Sequence, residues 1–401
     1  MIMEILKPDH SNTIRACSLC ARSLRAIAQP FLGRHISVTD QGRVRESLQL
    51  LKSSGFQHVR SLSLGITNKR MVLEEYWKDY LVILGLFAQR RNLVRLWLSE
   101  IPFFFLQPQQ EKVYKDTILA LSCSVSELGL YGCHFTCYEE LVSFVRAFPR
   151  CDKLYIQDCV TGGQDSPENS LAVLPRHKLS ITDLDLTASS TSGLLIDLSG
   201  FIKDAELDVS SLSKLTCDLR SVEGIPRIVS ATSDSPIRTL QFSSTCPEGF
   251  QGPWISQFSA LLSLVTSKST VAGFITSLSR WHLQSLVIGP MYHEADFAFW
   301  EAAFKDFPKL PHLVEAKTIY HYRTSDAFNV FYWDRLTSIL SNRSMFPSLE
   351  TVDACPTLRS QRLAYWKFSS IQSSLRFLDP TVVVKHWGER GEVVFTPSEP
   401  F

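Results

Sequence analysis

The residues best suited to chemistry here are thiols and imidazoles. Cys17-x-x-Cys20, in RACSLCARSL, has the spacing of half a zinc site, but no second ligand pair follows nearby. On a helix, residues three apart share one face, so both thiols read as core. Cys133, His134 and Cys137, followed by Cys151 and Cys159, form a denser group. Strand and loop positions alternate in direction, which scatters such side chains over different faces, so no metal site is expected.

Nucleophile and phosphate motifs are missing as well. The sequence has no G-x-S-x-G elbow, H-E-x-x-H helix, G-x-G-x-x-G turn or G-x-x-x-x-G-K-[ST] loop. HEADF at His293 lacks the second histidine, and GERGEV at Gly388 follows the final strand, where it reads as a tail turn. The aromatic group Tyr320, Tyr322, Phe328, Phe331, Tyr332 and Trp333 has partly helical spacing and reads mainly as core packing. The expectation is a chain without catalytic residues, metal or cofactor, so not an enzyme.

The elements that would carry any site are set by a recurring template, apolar-x-x-apolar-x-apolar. It occurs in VRSLSL (Val59, Leu62, Leu64), LVRLWL (Leu93, Leu96, Leu98), VSELGL (Val125, Leu128, Leu130) and CDKLYI (Cys151, Leu154, Ile156). It returns in ITDLDL (Ile181, Leu184, Leu186), IRTLQF (Ile237, Leu240, Phe242), LQSLVI (Leu283, Leu286, Ile288) and LETVDA (Leu349, Val352, Ala354). A weaker copy is DAELDV, with Asp204 in the first slot before Leu207 and Val209; HLVEAKTI at Leu313 is a degenerate one, and LRFLDP at Leu375 and Leu378 a terminal remnant. The central positions 62, 96, 128, 154, 184, 207 and 240 are separated by 34, 32, 26, 30, 23 and 33 residues. A short strand cannot bury its inward face alone, so copies at such a period must lie side by side in parallel, each covering the next.

Between strands the period changes. Tyr76, Tyr80, Ile83, Leu84 and Phe87 fall three or four apart, as do Tyr138, Leu141, Val142, Val145 and Phe148, so each unit reads strand, turn, helix. Prolines in FWEAAFKDFPKLPHL and in SNRSMFPSLETV stop the helices before the next strand. The fold class is therefore α/β, with parallel strands on one face and helices on the other.

The template LxxLxL resembles the core of the leucine-rich-repeat family from about residue 55 to 380. Regular members carry an Asn after the third apolar position; here Cys133 and Cys159 sit near that slot. The resemblance implies an irregular leucine-rich-repeat solenoid over 55–380, followed by a tail over 381–401. Residues Asn12 to Val38 leave the cadence and read as helical, interrupted by Pro30. ACSLCARSL and PFLGRHISV there resemble the second half of a fungal-type F-box, giving an F-box-like segment at 1–45. The usual opening Leu-Pro-x-Glu-Ile helix is reduced to MIMEIL, and Leu24 stands where Trp is frequent. By family, an F-box followed by leucine-rich repeats implies a substrate receptor of a cullin-type ubiquitin ligase. Cys17, Leu19, Leu24 and Phe31 would then dock a Skp-family adaptor. The same segment also reads as a helical cap over the first repeat.

Charge and hydropathy narrow the partners. Lys plus Arg number 41 against 40 Asp plus Glu, which leaves no global field for nucleic acid or an anionic membrane. Residues 1 to 60 hold nine basic and four acidic side chains, a solvated polar face or a docking face for an acidic partner. The longest apolar run, YLVILGLFA, has nine residues, far below the roughly 20 of a membrane span. MIMEILKPDH lacks a basic n-region and a cleavage site, and the scattered cysteines read as free thiols, so a cytoplasmic or nuclear protein is expected. Trp97, between Leu96 and Leu98, should point away from the buried side of its strand. Tyr155, Asp185, Gln241 and Val287 occupy the same slot. Trp97, Tyr155, Asp185 and Gln241 are the expected contacts for an unknown protein target.

Overall fold

The computed structural model describes residues 35–38, 59–65, 73–103, 108–161, 178–187, 198–218, 237–243, 282–291, 309–320, 339–340, 342–356, 383–388 and 391–395. In chain order the elements are β1 (His35–Val38), β2 (Ser61–Gly65), α1 (Leu73–Arg90), β3 (Arg95–Ser99), α2 (Pro108–Ser122), β4 (Glu127–Tyr131), β5 (His134–Phe135), α3 (Tyr138–Arg146), β6 (Lys153–Gln157) and β7 (Val160–Thr161). They continue with β8 (Leu179–Ser180), β9 (Asp183–Thr187), α4 (Leu198–Asp204), β10 (Leu207–Asp208), β11 (Lys214–Asp218), β12 (Thr239–Ser243), β13 (Ser285–Met291), β14 (Glu315–Tyr320), β15 (Thr351–Pro356), β16 (Val383–Gly388) and β17 (Gly391–Phe395). The class is α/β, with parallel strands dominating. The chain divides into two compact units, Met1–Ile181 with Ile202–Asp208, and Thr182–Phe201 with Val209–Phe401.

In the first unit β1, β2, β3, β4 and β6 pair in parallel in that order. Ile36, Leu62, Leu96, Leu128 and Leu154 fall in one column, and Val38, Leu64, Leu98, Leu130 and Ile156 in the next. All but Ile36 are buried. The helical periods seen in the sequence become α1, which buries Tyr80, Ile83, Leu84 and Phe87, and α3, which buries Leu141, Val142 and Val145. The start of α3 has two supports: Glu139 and Glu140 lie in its first turn, and Glu140 Oε2 accepts the Thr136 N–H at 2.7 Å.

In the second unit β9, β11, β12, β13, β14, β15 and β16 are parallel, and β17 closes the run antiparallel to β16. Leu184, Leu215, Leu240, Leu286, Ala316 and Val352 share a column and are all buried. The register slips between Ile288 and Met291, where Pro290 has no N–H to donate to the ladder.

A finer feature repeats in both units. The carbonyl at the second template position accepts two N–H groups from the next copy. Arg60 O takes Val94 and Arg95, Val94 O takes Ser126 and Glu127, and Ser126 O takes Asp152 and Lys153. Thr182, Ser213, Arg238, Gln284 and Val314 carbonyls do the same for the strands that follow each of them. The first template position lies beside every fork, and Val59, Leu93, Val125, Ile181, Leu212, Ile237, Leu283, Leu313 and Leu349 are all buried there.

Several expectations need correction. The copy centred on Leu207 does not join the long ladder; β10 pairs only with β8, two residues long. The ladder instead takes Leu212 and Leu215 of LSKLTC, because Glu206 turns the chain at φ 52 before a full strand can form. The steps around it are therefore 184 to 215 and 215 to 240. His35–Val38 is a strand, although 12–38 reads as helical: in GRHISV, Ile36 and Val38 alternate and pair with Leu62 and Leu64. The degenerate copy HLVEAKTI, by contrast, takes its place in the ladder: Leu313 is buried and β14 sets Ala316 beside Leu286. Of residues 381–401, expected as a tail, 383–388 and 391–395 form β16 and β17, with Gly388 opposite Gly391. LRFLDP and the aromatic group apart from Tyr320 lie outside the described residues.

Candidate recognition face

With Leu96 and Leu98 turned inward, the alternate residues of the first unit's strands line its other face. One row along this face contains His35, Ser61, Arg95, Glu127 and Lys153; the next contains Ser37, Ser63, Trp97, Gly129 and Tyr155. The third contains Gly65, Ser99, Tyr131 and Gln157.

Trp97 and Tyr155 belong to strands separated by β4, roughly 9.6 Å apart by the usual strand spacing. Their rings nevertheless stack with centroids 5.1 Å apart and planes inclined by 24°. Gly129 makes this possible. A Cβ there would fall 2.5 Å from Trp97 Cδ2 and 2.7 Å from Cζ3, with Cε3 closer still, so the indole occupies space that any other residue would fill. The two rings form one half-buried platform.

Charge is separated across this platform. On one side Arg95 Nε is 2.9 Å from Glu127 Oε2; the guanidinium side chain is 55% exposed and the carboxylate side chain only 13%. Lys153 lies in the same row. On the other side each strand ends in a left-handed turn at Glu100 (φ 56), Gly132 (φ 59) and Asp158 (φ 56). The Glu100 carboxylate rests over Gly132, with Oε1 2.5 Å from where a Cβ would lie. Tyr131, 43% exposed, stands among these groups. Burial, then the charges of Asp158 and Glu100, raise its hydroxyl above the usual range. Burial and then Arg95 hold His35 below its ordinary value, and His35 Nδ1 is 2.8 Å from Ser61 Oγ.

The residue after each left-handed turn points inward. Cys133 Sγ donates to Leu98 O at 3.3 Å, and Cys159 Sγ donates to Leu130 O at 3.7 Å. Each thiol thus reaches the carbonyl of the last inward leucine on the strand before. Burial, and then Cys159 beside it, push the Cys133 thiol well above its ordinary range; burial takes Cys151 up to about 12. No group of three or more His, Cys, Asp or Glu among the described residues could hold a metal ion. Cys123, Cys133, Cys137, Cys151 and Cys159 are free thiols.

The four expected target contacts are divided between the two units. Trp97 and Tyr155 come together in the first unit. Asp185 and Gln241 lie in the second, at equivalent positions on either side of Thr216. Asp185 is less open than an outward slot implies, at 8% exposed, and so is Thr216 beside it at 2%, while Gln241 is half-buried. In the middle of a parallel sheet, a short side chain is shaded by both neighbouring strands. Cys17, Leu19, Leu24, Phe31 and Cys20 lie outside the described residues. Sequence reasoning missed Gly129, Tyr131, Glu100 and Asp158. The signal available was register: each occupies the same template slot as a residue one strand away.

No helix among the described residues is long and apolar enough to cross a membrane, which says nothing of a β-barrel. A scan of the chain against protein-family models finds no match, and a search among curated proteins finds no relative.

Proposed function

We propose that this chain is a protein-recruiting adaptor built from irregular leucine-rich-repeat turns, working in the cytoplasm or nucleus as the F-box-like subunit of a cullin-type ubiquitin ligase. The observation that carries the repeat half is the thiol ladder, Cys133 to Leu98 and Cys159 to Leu130, together with the carbonyl fork that recurs from copy to copy. A buried polar side chain after the third inward residue, tied to the previous strand, is the job the resemblance gives to Asn at that slot. The Trp97–Tyr155 platform supports a protein target, because aromatic side chains offer large rigid contact area at little entropic cost. The ligase half rests on the resemblance of ACSLCARSL and PFLGRHISV to an F-box. Catalysis in this reading is proximity alone, supplied by partner enzymes.

The test is reconstitution of the full chain with a purified Skp-family adaptor and cullin. A stable complex that is lost in Phe31→Ala and Leu24→Ala supports the reading; no capture of the adaptor by the intact chain removes its ligase half. A second reading, a scaffold whose N-terminal segment only caps the sheet, is favoured by β1: the end of the F-box-like segment pairs with β2 as an edge strand. Target capture that persists without adaptor binding selects it.

A further inference from the structure

Resting on the reading of this face as a recognition surface, we infer the chemistry of its partner: an extended segment bearing an acidic, an apolar and a basic side chain at alternate positions. The geometry that points to it is the order of the three features along the strands. Arg95 and Lys153 come first, the Trp97–Tyr155 platform follows two residues on, and the Glu100 and Asp158 turns lie three residues beyond that. At about 3.3 Å per residue, the two charged ends are roughly 16 Å apart. In an extended peptide, side chains at i, i+2 and i+4 share a face and span about 13 Å, and the reach of a Lys or Arg side chain covers the remainder.

Each site suits one class of group. Glu127 is turned in against Arg95, so the exposed group of that pair is the guanidinium, which favours a carboxylate. The stacked rings offer apolar surface held in place by Gly129. Glu100 and Asp158 flank the exposed Tyr131, whose ring and neighbouring carboxylates together favour a cation. Nucleic acid fits poorly, because a phosphate chain laid across the platform meets the two carboxylates. A uniformly basic or acidic peptide meets repulsion at one end.

The experiment is selection of a displayed random heptapeptide library on the intact chain. Enrichment of acidic–apolar–basic order at i, i+2 and i+4, in either chain direction, is expected. Affinity should fall at least about tenfold in Trp97→Ala. Glu100→Gln with Asp158→Asn should abolish selection for the basic position alone, and Arg95→Gln with Lys153→Gln for the acidic position alone. Peptides lost in Trp97→Ala but without charge order overturn this inference and leave the recognition face standing. Peptides indifferent to both Trp97→Ala and Tyr155→Ala, or no enrichment at all, overturn the face itself.

Discussion

Replacing Gly129 by alanine should destabilise the first unit through one contact, and the sign of the effect depends on Trp97. The added methyl falls within 2.7 Å of three indole carbons, about 1 Å inside ordinary contact, and the ring must swing away. Losing the stack on Tyr155 costs about 0.5–1.5 kcal/mol, and holding Trp97 off its rotamer a further ~0.5–1.5 kcal/mol. Alanine recovers about 0.5–1 kcal/mol by narrowing the unfolded chain's freedom. The net cost is about 1 kcal/mol, within a span of roughly 0–2.5 kcal/mol. In a Trp97→Ala background the clash and the stack are both gone, so the same Gly129→Ala change should gain about 0.5–1 kcal/mol. Hydrogen exchange read by mass spectrometry over β3, β4 and β6 measures all four proteins without needing the tryptophan as a probe. Equal effects of Gly129→Ala in both backgrounds would refute the account, because the glycine would then be serving something other than the indole.

Three further outcomes follow from the same geometry. Cys123, which is exposed, should be alkylated by iodoacetamide before Cys133 and Cys151, which stay unmodified until denaturant is added; early labelling of Cys133 by mass spectrometry counts against the thiol ladder. His35 is held below its ordinary 6.5, so the folded chain resists a proton that the unfolded chain accepts. The stability it contributes is present above that value and lost as pH falls below it, and His35→Gln should flatten this part of the profile between pH 7.5 and about 5 in thermal melts. Identical slopes refute it. Leu215→Ala should cost about 2–5 kcal/mol in urea unfolding of the second unit, since Leu215 is wholly buried between Leu184 and Leu240; a change within error would return the repeat to Leu207.

Legibility in the sequence was uneven for reasons that can be named. The first, second and third apolar slots of most copies were readable because a strand's inward side must be apolar wherever it stacks, and Leu62, Leu96, Leu128 and Leu154 became one column. LSKLTC was passed over because Leu212 and Leu215 are set among Ser, Lys and Thr, while DAELDV nearby offers a similar pattern. β1 was hidden because Gly33 fills the slot that is apolar elsewhere. The helix α2 was missed because PQQEKVYKDTILALS shows few apolar residues on a mostly polar segment.

The sequence alone determined the inward side of this protein: the apolar spacing dictates which residues of a strand face the core, because a one-sided strand must bury that face, and the long segments between most copies suit parallel pairing. It also placed Trp97 and Tyr155 on the outward side. What only the tertiary structure decided is which outward residues meet. That depends on register between strands about thirty residues apart, where a single position without a side chain, Gly129, lets two rings on non-adjacent strands touch. The left-handed turns at Glu100 and Asp158 belong to the same category, since their conformation is imposed by the ladder that follows each strand and not by the residues that adopt it.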